Sequence, residues 1–418
     1  MTWLPKSVVC LRYYDRSRFR SDLLASSGLA LQVFPASIAI AIATGLPPAS
    51  GVSCAAIATV VASAFGDSKV RISAPGVVLL AATSTILMRD GVLGLSLATL
   101  FAGLVLAFFG ATGLGRAIQL LPRPVPVGFS TGISILVVTK ELPDLFGSGS
   151  QSLASEAGWG LLSTLRDLTQ VEVAAVILGI SSLAVIVVSK RRSRHIPAGL
   201  VTMAVGALLV KLAHLPVRTV GELAVANPTM LHLHLAQALG TGSLRRVLSQ
   251  ALAIAVLVAV ESVQAVDLAS RHTGEHADPN GELVVQAGVN LATGFAGGLP
   301  VCGVSSYSSE NALLGAQTPL AGILQSVLLV GLLFLFAPFL PLVPLTVISA
   351  LIVSSVCMMT HWGELAQAIK PGAVEVGAWL ATSALTIVDL PFGITVGLLI
   401  GMFLYIRGQK TVRLGAPR

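Results

Sequence analysis

The sequence predicts an all-α, polytopic membrane protein with fourteen transmembrane segments. Of its 418 residues, 54% are hydrophobic and only 11% are charged, whereas a soluble globular chain carries about 25% charged residues. The charges occur in short clusters, and the apolar runs between them approach the ~20 residues that cross ~30 Å of hydrocarbon. A soluble enzyme and a nucleic-acid-binding protein are therefore excluded, despite a net charge of +7.

The candidate spans are the apolar runs between these clusters, taken in order along the chain. The third and the tenth runs are too short to cross a bilayer alone. The fourteen runs centre on residues 22–44, 50–66, 74–88, 91–112, 118–139, 170–189, 195–213, 246–268, 281–297, 304–315, 317–338, 341–359, 372–388 and 391–407.

The basic residues predict the orientation of the chain in the membrane. An even number of spans places both termini on one side. Sorting the 26 Lys and Arg residues by the loops they would occupy puts nineteen on the side of the termini and seven on the other. Because cytoplasmic loops carry the excess of Lys and Arg, we expect both termini in the cytoplasm of a bacterial-type plasma (inner) membrane.

The chain divides into a membrane domain with a short tail at each end. We expect a cytoplasmic N-terminal tail at 1–20, a transport domain at 21–408 and a cytoplasmic C-terminal tail at 409–418. The first twenty residues carry five basic side chains, and the apolar run after them is too long for a cleaved signal peptide. The four cysteines are far apart and form no CxxC pair, which indicates small buried residues and not a disulfide or metal site.

The third and tenth spans share an interrupted pattern. The third begins with Arg71-Ile-Ser-Ala-Pro-Gly76, and Gly297-Gly-Leu-Pro-Val-Cys-Gly303 precedes the tenth. Short, Gly/Pro-interrupted segments at corresponding positions of two halves indicate a transporter site between inverted repeats. We therefore expect a seven-plus-seven repeat, with repeat one over about 21–213 and repeat two over about 244–408.

Such a pair of short helices favours an anion as the ligand. Extended backbone at membrane depth is tolerated only where it lines a cavity enclosed by protein. Two helix N-termini pointing into that cavity bring unpaired N–H groups and partial positive charge. Ser73 and Pro75 suit the opening of the first short helix, and Ser305, Ser306 and Ser308 suit that of the second. Two unrelated kinked helices are the alternative interpretation.

At these positions the sequence resembles the sulfate permease (SulP) family of anion transporters. The resemblance covers essentially the whole chain and depends on the order and spacing of its motifs. They are Phe34-Pro-Ala-Ser37, Phe65-Gly-Asp-Ser68 with Ser73-Ala-Pro75, Leu121-Pro-Arg-Pro124, Glu261-Ser262 with Asp267, Asn280-Gly-Glu-Leu283 with Asn290, Gly297-Gly-Leu-Pro300, Asn311 and Gly315-Ala-Gln-Thr-Pro319.

The resemblance implies the uracil-permease-like fold, in which a core domain rocks against a gate domain, and it implies a homodimer. It places the substrate between spans three and ten, faced by spans one and eight. The implied substrate-binding residues are Ala36, Ile40, Ser73, Ala74, Pro75, Ser305, Ser306, Tyr307 and Ser308.

Two departures from the family pattern affect the expected function. Most members carry a C-terminal STAS domain, and we expect none in this chain. Many members place an arginine where this sequence has Tyr307. Two helix N-termini supply only about half a charge each, so a co-transported cation would supply the missing positive charge.

Glu261 is the residue we expect to hold that cation. It lies well inside the eighth span, in Val258-Ala-Val-Glu-Ser-Val263. An ionisable group at such a depth is costly and is a functional candidate by default. Its carboxylate could carry a proton or hold Na⁺, and a structural carboxylate at a broken helix is the alternative. Gln286, a polar residue in the ninth span, is a candidate for a hydrogen bond between helices.

The remaining motifs do not predict chemistry. His272-Thr-Gly-Glu-His276 matches a zinc-peptidase pattern, but Gly274 interrupts any helix there and turn residues follow. His232 and His234 lie in an external loop. We therefore expect no metal site, no cofactor and no enzymatic activity.

The predicted function is secondary active transport of a small anion such as bicarbonate, sulfate or a dicarboxylate, by symport with H⁺ or Na⁺. An uncoupled anion exchanger or a channel is the nearest alternative. A nucleobase permease of the same fold and an intramembrane enzyme are more distant alternatives.

Overall fold

The structure is a computed structural model that describes residues 6–11, 14–148, 171–192, 196–222, 241–274, 278–359 and 372–414. Within these ranges the chain is almost entirely helical, and a helix coincides with each predicted span. Two two-residue strands are the exception.

The helices of the first half follow the predicted spans one to seven. They are α1 (Lys6–Leu11), α2 (Arg16–Thr44), α3 (Pro48–Phe65), α4 (Leu80–Ala111, after a 3-10 turn at Val77–Leu79), α5 (Leu114–Gln119), α6 (Pro124–Leu145), α7 (Val173–Arg192) and α8 (Ala198–Ala213). Strand β1 (Ser73–Ala74) lies between α3 and α4, and a 3-10 turn at Val220–Glu222 follows α8.

The helices of the second half follow the predicted spans eight to fourteen. They are α9 (Thr241–Thr273), α10 (Pro279–Ala296), α11 (Ser305–Leu313), α12 (Leu320–Phe336, followed by a 3-10 segment at Ala337–Leu342), α13 (Leu345–Met359), α14 (Ala373–Val388) and α15 (Leu390–Leu414). Strand β2 (Cys302–Gly303) precedes α11.

The third and fourth spans are the two arms of α4, and they separate at Gly91. This residue has φ 68° and ψ −172° in the middle of an otherwise helical segment. Glycine adopts such a conformation at little cost because it has no Cβ. A side chain there would meet no atom within 4 Å, so the backbone conformation alone requires glycine.

The length and exposure of the helices fit a membrane environment. In the described ranges, six helical segments are long and apolar enough to cross a bilayer, and five shorter apolar helices accompany them. Large apolar side chains are exposed on their outer faces, including Phe334 at 77%, Val173 at 71% and Leu212 at 70%. Such faces suit lipid and not water.

The helices pack in two groups. Helices α2, α3, α4 and α9 to α12 contact mainly one another, and α6, α7, α8 and α13 to α15 form the second group. Helix α2 also contacts α8 and α13, and α9 contacts α15, so these helices join the groups. Both strands belong to the first group.

Candidate functional site

Strands β1 and β2 pair with each other within the first helix group, and we call this pair of strands, Ser73–Ala74 with Cys302–Gly303, the crossing. They pair antiparallel, with Ser73 opposite Gly303 and Ala74 opposite Cys302. A helical segment begins shortly after each strand, at Val77 and at Ser305. The N-termini of both helical segments therefore lie within a few residues of the paired strands.

Neither N-terminus is capped by a side chain. Gly76 and Val304 occupy the N-cap positions, and neither makes a side-chain capping hydrogen bond. The first N–H groups of a helix have no partner within the helix. The first backbone N–H groups of both helical segments therefore lie next to the strands, and helix N-termini of this kind suit an anion.

Side chains of three neighbouring helices hold the strands in place. Asn290 of α10 binds both backbone groups of Val301: its Nδ2 donates to the carbonyl at 2.9 Å, and its Oδ1 accepts from the N–H at 3.1 Å. The Ser262 hydroxyl of α9 accepts from Gly303 N–H at 2.9 Å. Thr59 of α3 donates to the Ser73 carbonyl at 2.7 Å. The crossing is therefore fixed by side chains from outside it.

Helix α11 is tied to the chain that leads into β1. Ile72 N–H donates to the Ser308 hydroxyl at 3.2 Å, and that hydroxyl donates to the Val304 carbonyl at 3.0 Å. Asn311 donates to the Val70 carbonyl at 3.1 Å. Val304 N–H donates to the Ile72 carbonyl at 3.1 Å. The second short helix and the first strand are therefore positioned together.

The predicted serines of the site differ in their surroundings. The hydroxyls of Ser73 and Ser308, which are 0% and 1% exposed, already have protein partners, and that of Ser73 accepts from Gln286 Nε2 at 2.8 Å. Ser305 is 9% exposed, and Ser306 is exposed. The hydroxyls at the start of α11 are thus more accessible than those in the scaffold. The sequence predicts a hydrogen bond between helices for Gln286, but its side chain donates to Ser73 of β1 and to Glu282 of its own helix.

The remaining predicted site residues lie in or beside the same helix group. Ala74 and Pro75 are buried at the crossing, and Tyr307 lies half-buried in the first turn of α11. Ala36 and Ile40 are buried on α2, at 9% and 3% exposure.

Cys302 lies at the crossing, but the sequence did not indicate a role for it, because its neighbours there are apolar. A Cβ atom on Gly76 would lie 2.6 Å from the Cys302 sulfur, so Gly76 must remain glycine for the strands to approach. The thiol also lies within electrostatic range of Glu261 and Tyr307. The sequence signal was the glycine that ends Ser-Ala-Pro-Gly76, because such a position marks a close approach of backbone.

Glu261 lies beside the crossing, next to the residue that holds β2. Its neighbour Ser262 accepts the Gly303 N–H, so the α9 backbone at Glu261 lies close to the strand that precedes α11. The predicted coupling residue is therefore on a helix that contacts the predicted anion site.

A buried ion pair lies beside the strands. Arg71 and Glu282 of α10 form a salt bridge, with side chains 1% and 0% exposed. The sorting of basic residues by loop predicts that Arg71 lies in the cytoplasmic loop before the third span, but its side chain is buried inside the protein. Glu282 belongs to one of the family-like motifs, and no spacing in the sequence indicated that the two residues meet.

The histidine motifs fall largely outside the described residues. Glu275, His276, His232 and His234 are not described, and nothing is stated of the His272 side chain. In the part of the chain that is described, no group of three or more His, Cys, Asp or Glu side chains could hold a metal ion.

Comparisons with known proteins agree with this architecture. The model of the sulfate permease family matches residues 19–382. YvdB from Bacillus subtilis, a sulfate transporter by name, is 28% identical over 397 residues, which are 94% of this chain and 75% of YvdB. The bicarbonate transporter BicA from Picosynechococcus sp. is 23% identical over 416 residues, covering 94% of this chain and 71% of BicA.

Solved structures share the fold. The transmembrane domain of a cyanobacterial bicarbonate transporter BicA superposes with a TM-score of 0.76 at 23% identity, covering 93% of this chain and 98% of that domain. The murine Slc26a9 anion transporter in its inward-facing state gives a TM-score of 0.82 at 17% identity, covering 97% of this chain and 71% of that chain.

These relatives are transporters and not enzymes. Because the family model matches most of the chain, the protein is a multi-pass membrane protein that belongs to the sulfate permease family.

Proposed function

We propose that the protein is a secondary active transporter that carries a small anion together with H⁺ or Na⁺. The observation that carries this proposal is the pair of uncapped helix N-termini that lie next to the crossing. The anion would lie between them, with Ser305, Ser306 and Tyr307 as the nearest side-chain donors. Ser73, Ala74, Pro75 and Ser308 would shape the backbone of the site.

The charges around the crossing support coupling to a cation. Arg71 precedes Ser73 by two residues, but its charge is balanced by Glu282. Glu261 adds a negative charge on the side of α9, and Tyr307 lies where the family resemblance implies an arginine. Two helix N-termini contribute only about half a charge each, so an anion and the Glu261 carboxylate together need a positive ion. We assign Glu261 as the residue that holds it.

The packing of the helices supports alternating access. We infer that the group containing both strands is the core domain and that the other group is the gate domain. The two halves would be related as a seven-plus-seven inverted repeat, with the short helices at spans three and ten. Ala36 and Ile40 of span one would face the anion when the core moves against the gate.

The setting follows from the family. We propose that the protein acts as a homodimer in a bacterial inner membrane with both termini in the cytoplasm. Sulfate and bicarbonate, which appear in the names of relatives, are the first substrates to test, and small dicarboxylates come next.

Uptake into proteoliposomes tests the proposal. Purified protein should give saturable uptake of labelled sulfate or bicarbonate that an inward H⁺ or Na⁺ gradient stimulates, and Glu261→Gln should abolish the stimulation. A competition panel of anions would rank the substrates. Uptake indifferent to both gradients would contradict coupling, and it would favour an exchanger if internal anion is required or a channel if unitary currents appear.

A further inference from the structure

The Arg71–Glu282 ion pair touches both strands of the crossing. Arg71 lies two residues before Ser73; it contacts Glu282 of α10, and the Ser73 hydroxyl accepts from Gln286 of the same helix. Gln286, one turn after Glu282, donates to the Glu282 carboxylate at 2.9 Å and to the Ser73 hydroxyl at 2.8 Å. The pair is therefore linked directly to β1.

Glu282 also lies against β2. Its Oε1 atom is 3.3 Å from the place a Cβ on Gly303 would occupy. Gly303 pairs with Ser73 and stands two residues before the first residue of α11. The carboxylate is thus close to the N-terminus that would face the anion, and alone it would repel that anion.

We propose that Arg71 and Glu282 set the affinity of the anion site as a balanced pair: Arg71 cancels the negative charge that Glu282 places behind the crossing. Neither residue touches the anion. The inference rests on the proposed function, because it takes an anion between the two N-termini as the ligand.

This role gives the two single variants effects of opposite sign. Arg71→Gln leaves Glu282 uncompensated, and we expect the KM for the anion to rise. Glu282→Gln leaves Arg71 with Asp67 as the acidic group within electrostatic range, so its positive charge is less fully balanced and we expect the KM to fall. For one charge behind the crossing, at the effective dielectric constant of about 20 that is usual in proteins, the shift is about tenfold in each direction.

The experiment measures KM and maximal rate of anion uptake in proteoliposomes for the wild type, both single variants, Arg71→Lys and the double variant R71Q/E282Q. The Lys variant keeps the charge, so we expect a KM within about threefold of the wild type. The neutral double variant should also return to that range. Glu141→Gln is the matched control, because Glu141 is a buried carboxylate held by Ser349 of α13 at 2.8 Å, in the other helix group. Its KM should not change.

A purely structural pair would behave differently. Both single variants would then lose uptake together, and the KM values of the molecules that remain folded would move in one direction or not at all. KM values of folded single variants that move in one direction, or do not move, overturn the proposal. Removing one partner of a buried ion pair can cost ~3–5 kcal/mol of stability, whereas replacing both is often neutral, so the single variants can fail to reach the membrane.

The double variant decides the question in that case. A folded R71Q/E282Q protein with a KM within about threefold of the wild type supports charge balance. A folded double variant without saturable uptake would show that Arg71 itself holds the anion, and the proposal would be wrong. If the wild type carries no anion, the proposed function fails instead, so the two failures are distinguishable.

Discussion

Replacing Asp22 with alanine should destabilise the protein more than any other single truncation at the start of α2. The Asp22 side chain is 0% exposed. It accepts hydrogen bonds from the backbone N–H groups of Gln317 and Thr318 at 2.7 and 3.1 Å, and from the Thr318 hydroxyl. Tyr14 adds a longer hydrogen bond of 3.3 Å. This carboxylate therefore holds the chain just before α12, at residues almost three hundred positions later in the sequence.

The cost can be estimated from the donors that Asp22→Ala leaves without an acceptor. Each buried, unsatisfied donor costs about 1–3 kcal/mol. Two backbone N–H groups and one hydroxyl lose their acceptor, and the partly exposed Tyr14 can turn to water. We expect a loss of about 3–5 kcal/mol for Asp22→Ala. Asp22→Asn keeps an acceptor oxygen for the N–H groups but loses the charge, so its cost should be about half as large.

The effect is measured by heating the detergent-purified protein in steps. After each step, size-exclusion chromatography gives the fraction of the protein that remains folded. Asp15→Ala is the control: Asp15 accepts from Arg18 N–H at 2.8 Å as the exposed N-cap of α2, and losing such a cap costs about 1 kcal/mol. The heating rate must be the same for all variants, because unfolding of such proteins is commonly irreversible. If the Asp22→Ala protein unfolds at a temperature no lower than the Asp15→Ala protein does, the hydrogen bonds of Asp22 to Gln317 and Thr318 do not stabilise the fold as expected.

Three further substitutions test the geometry of the crossing. Gly76→Ala should abolish uptake, because its Cβ would lie 2.6 Å from the Cys302 sulfur. The double variant G76A/C302A should recover part of the uptake. If it recovers none, the clash with the sulfur is not the cause of the loss. Asn290→Ala should reduce uptake at least tenfold, because it releases both backbone groups of Val301. Asn290→Asp keeps the acceptor for the Val301 N–H and should retain more uptake. Equal uptake by the two variants would show that these hydrogen bonds do not position β2. Gly91→Ala should lower the free energy of unfolding by about 1–2 kcal/mol, because alanine is strained at the positive φ of this residue. The KM should not change, since a Cβ there meets nothing within 4 Å. A changed KM would show that the break in α4 contributes to the site.

The helices were predictable because the signals for them are local. Charge-free runs of membrane length, bounded by Lys and Arg, place each span within a few residues of the helix that forms. Gly and Pro at Pro75-Gly76 and at Gly297-Gly-Leu-Pro300 mark where helix gives way to extended chain. Such residues act on their own backbone, so a single sequence shows their effect.

The partners across the crossing were not predictable because they are distant in sequence. Arg71 meets Glu282, Asn311 meets Val70, and Asp22 meets Thr318. The sequence around each of these polar residues is compatible with several environments, such as a solvated loop or a helix cap. Only the packing of the second half of the chain against the first half determines which of these contacts forms.

The distribution of roles explains which substitutions should change affinity. The donors that would hold the anion are backbone N–H groups, and no side-chain substitution removes them. The side chains around them act on the donors instead: Asn290 and Ser262 fix where β2 lies, and Ser308 fixes α11 to the chain before β1. Apart from Glu261 and the cation assigned to it, the proposed site has no charged side chain, so any net charge behind the strands would act on the anion directly. Since Glu282 lies against Gly303, the balance provided by Arg71 is a condition for anion binding, and affinity should follow the charge of this pair more closely than the loss of any single hydroxyl at the crossing.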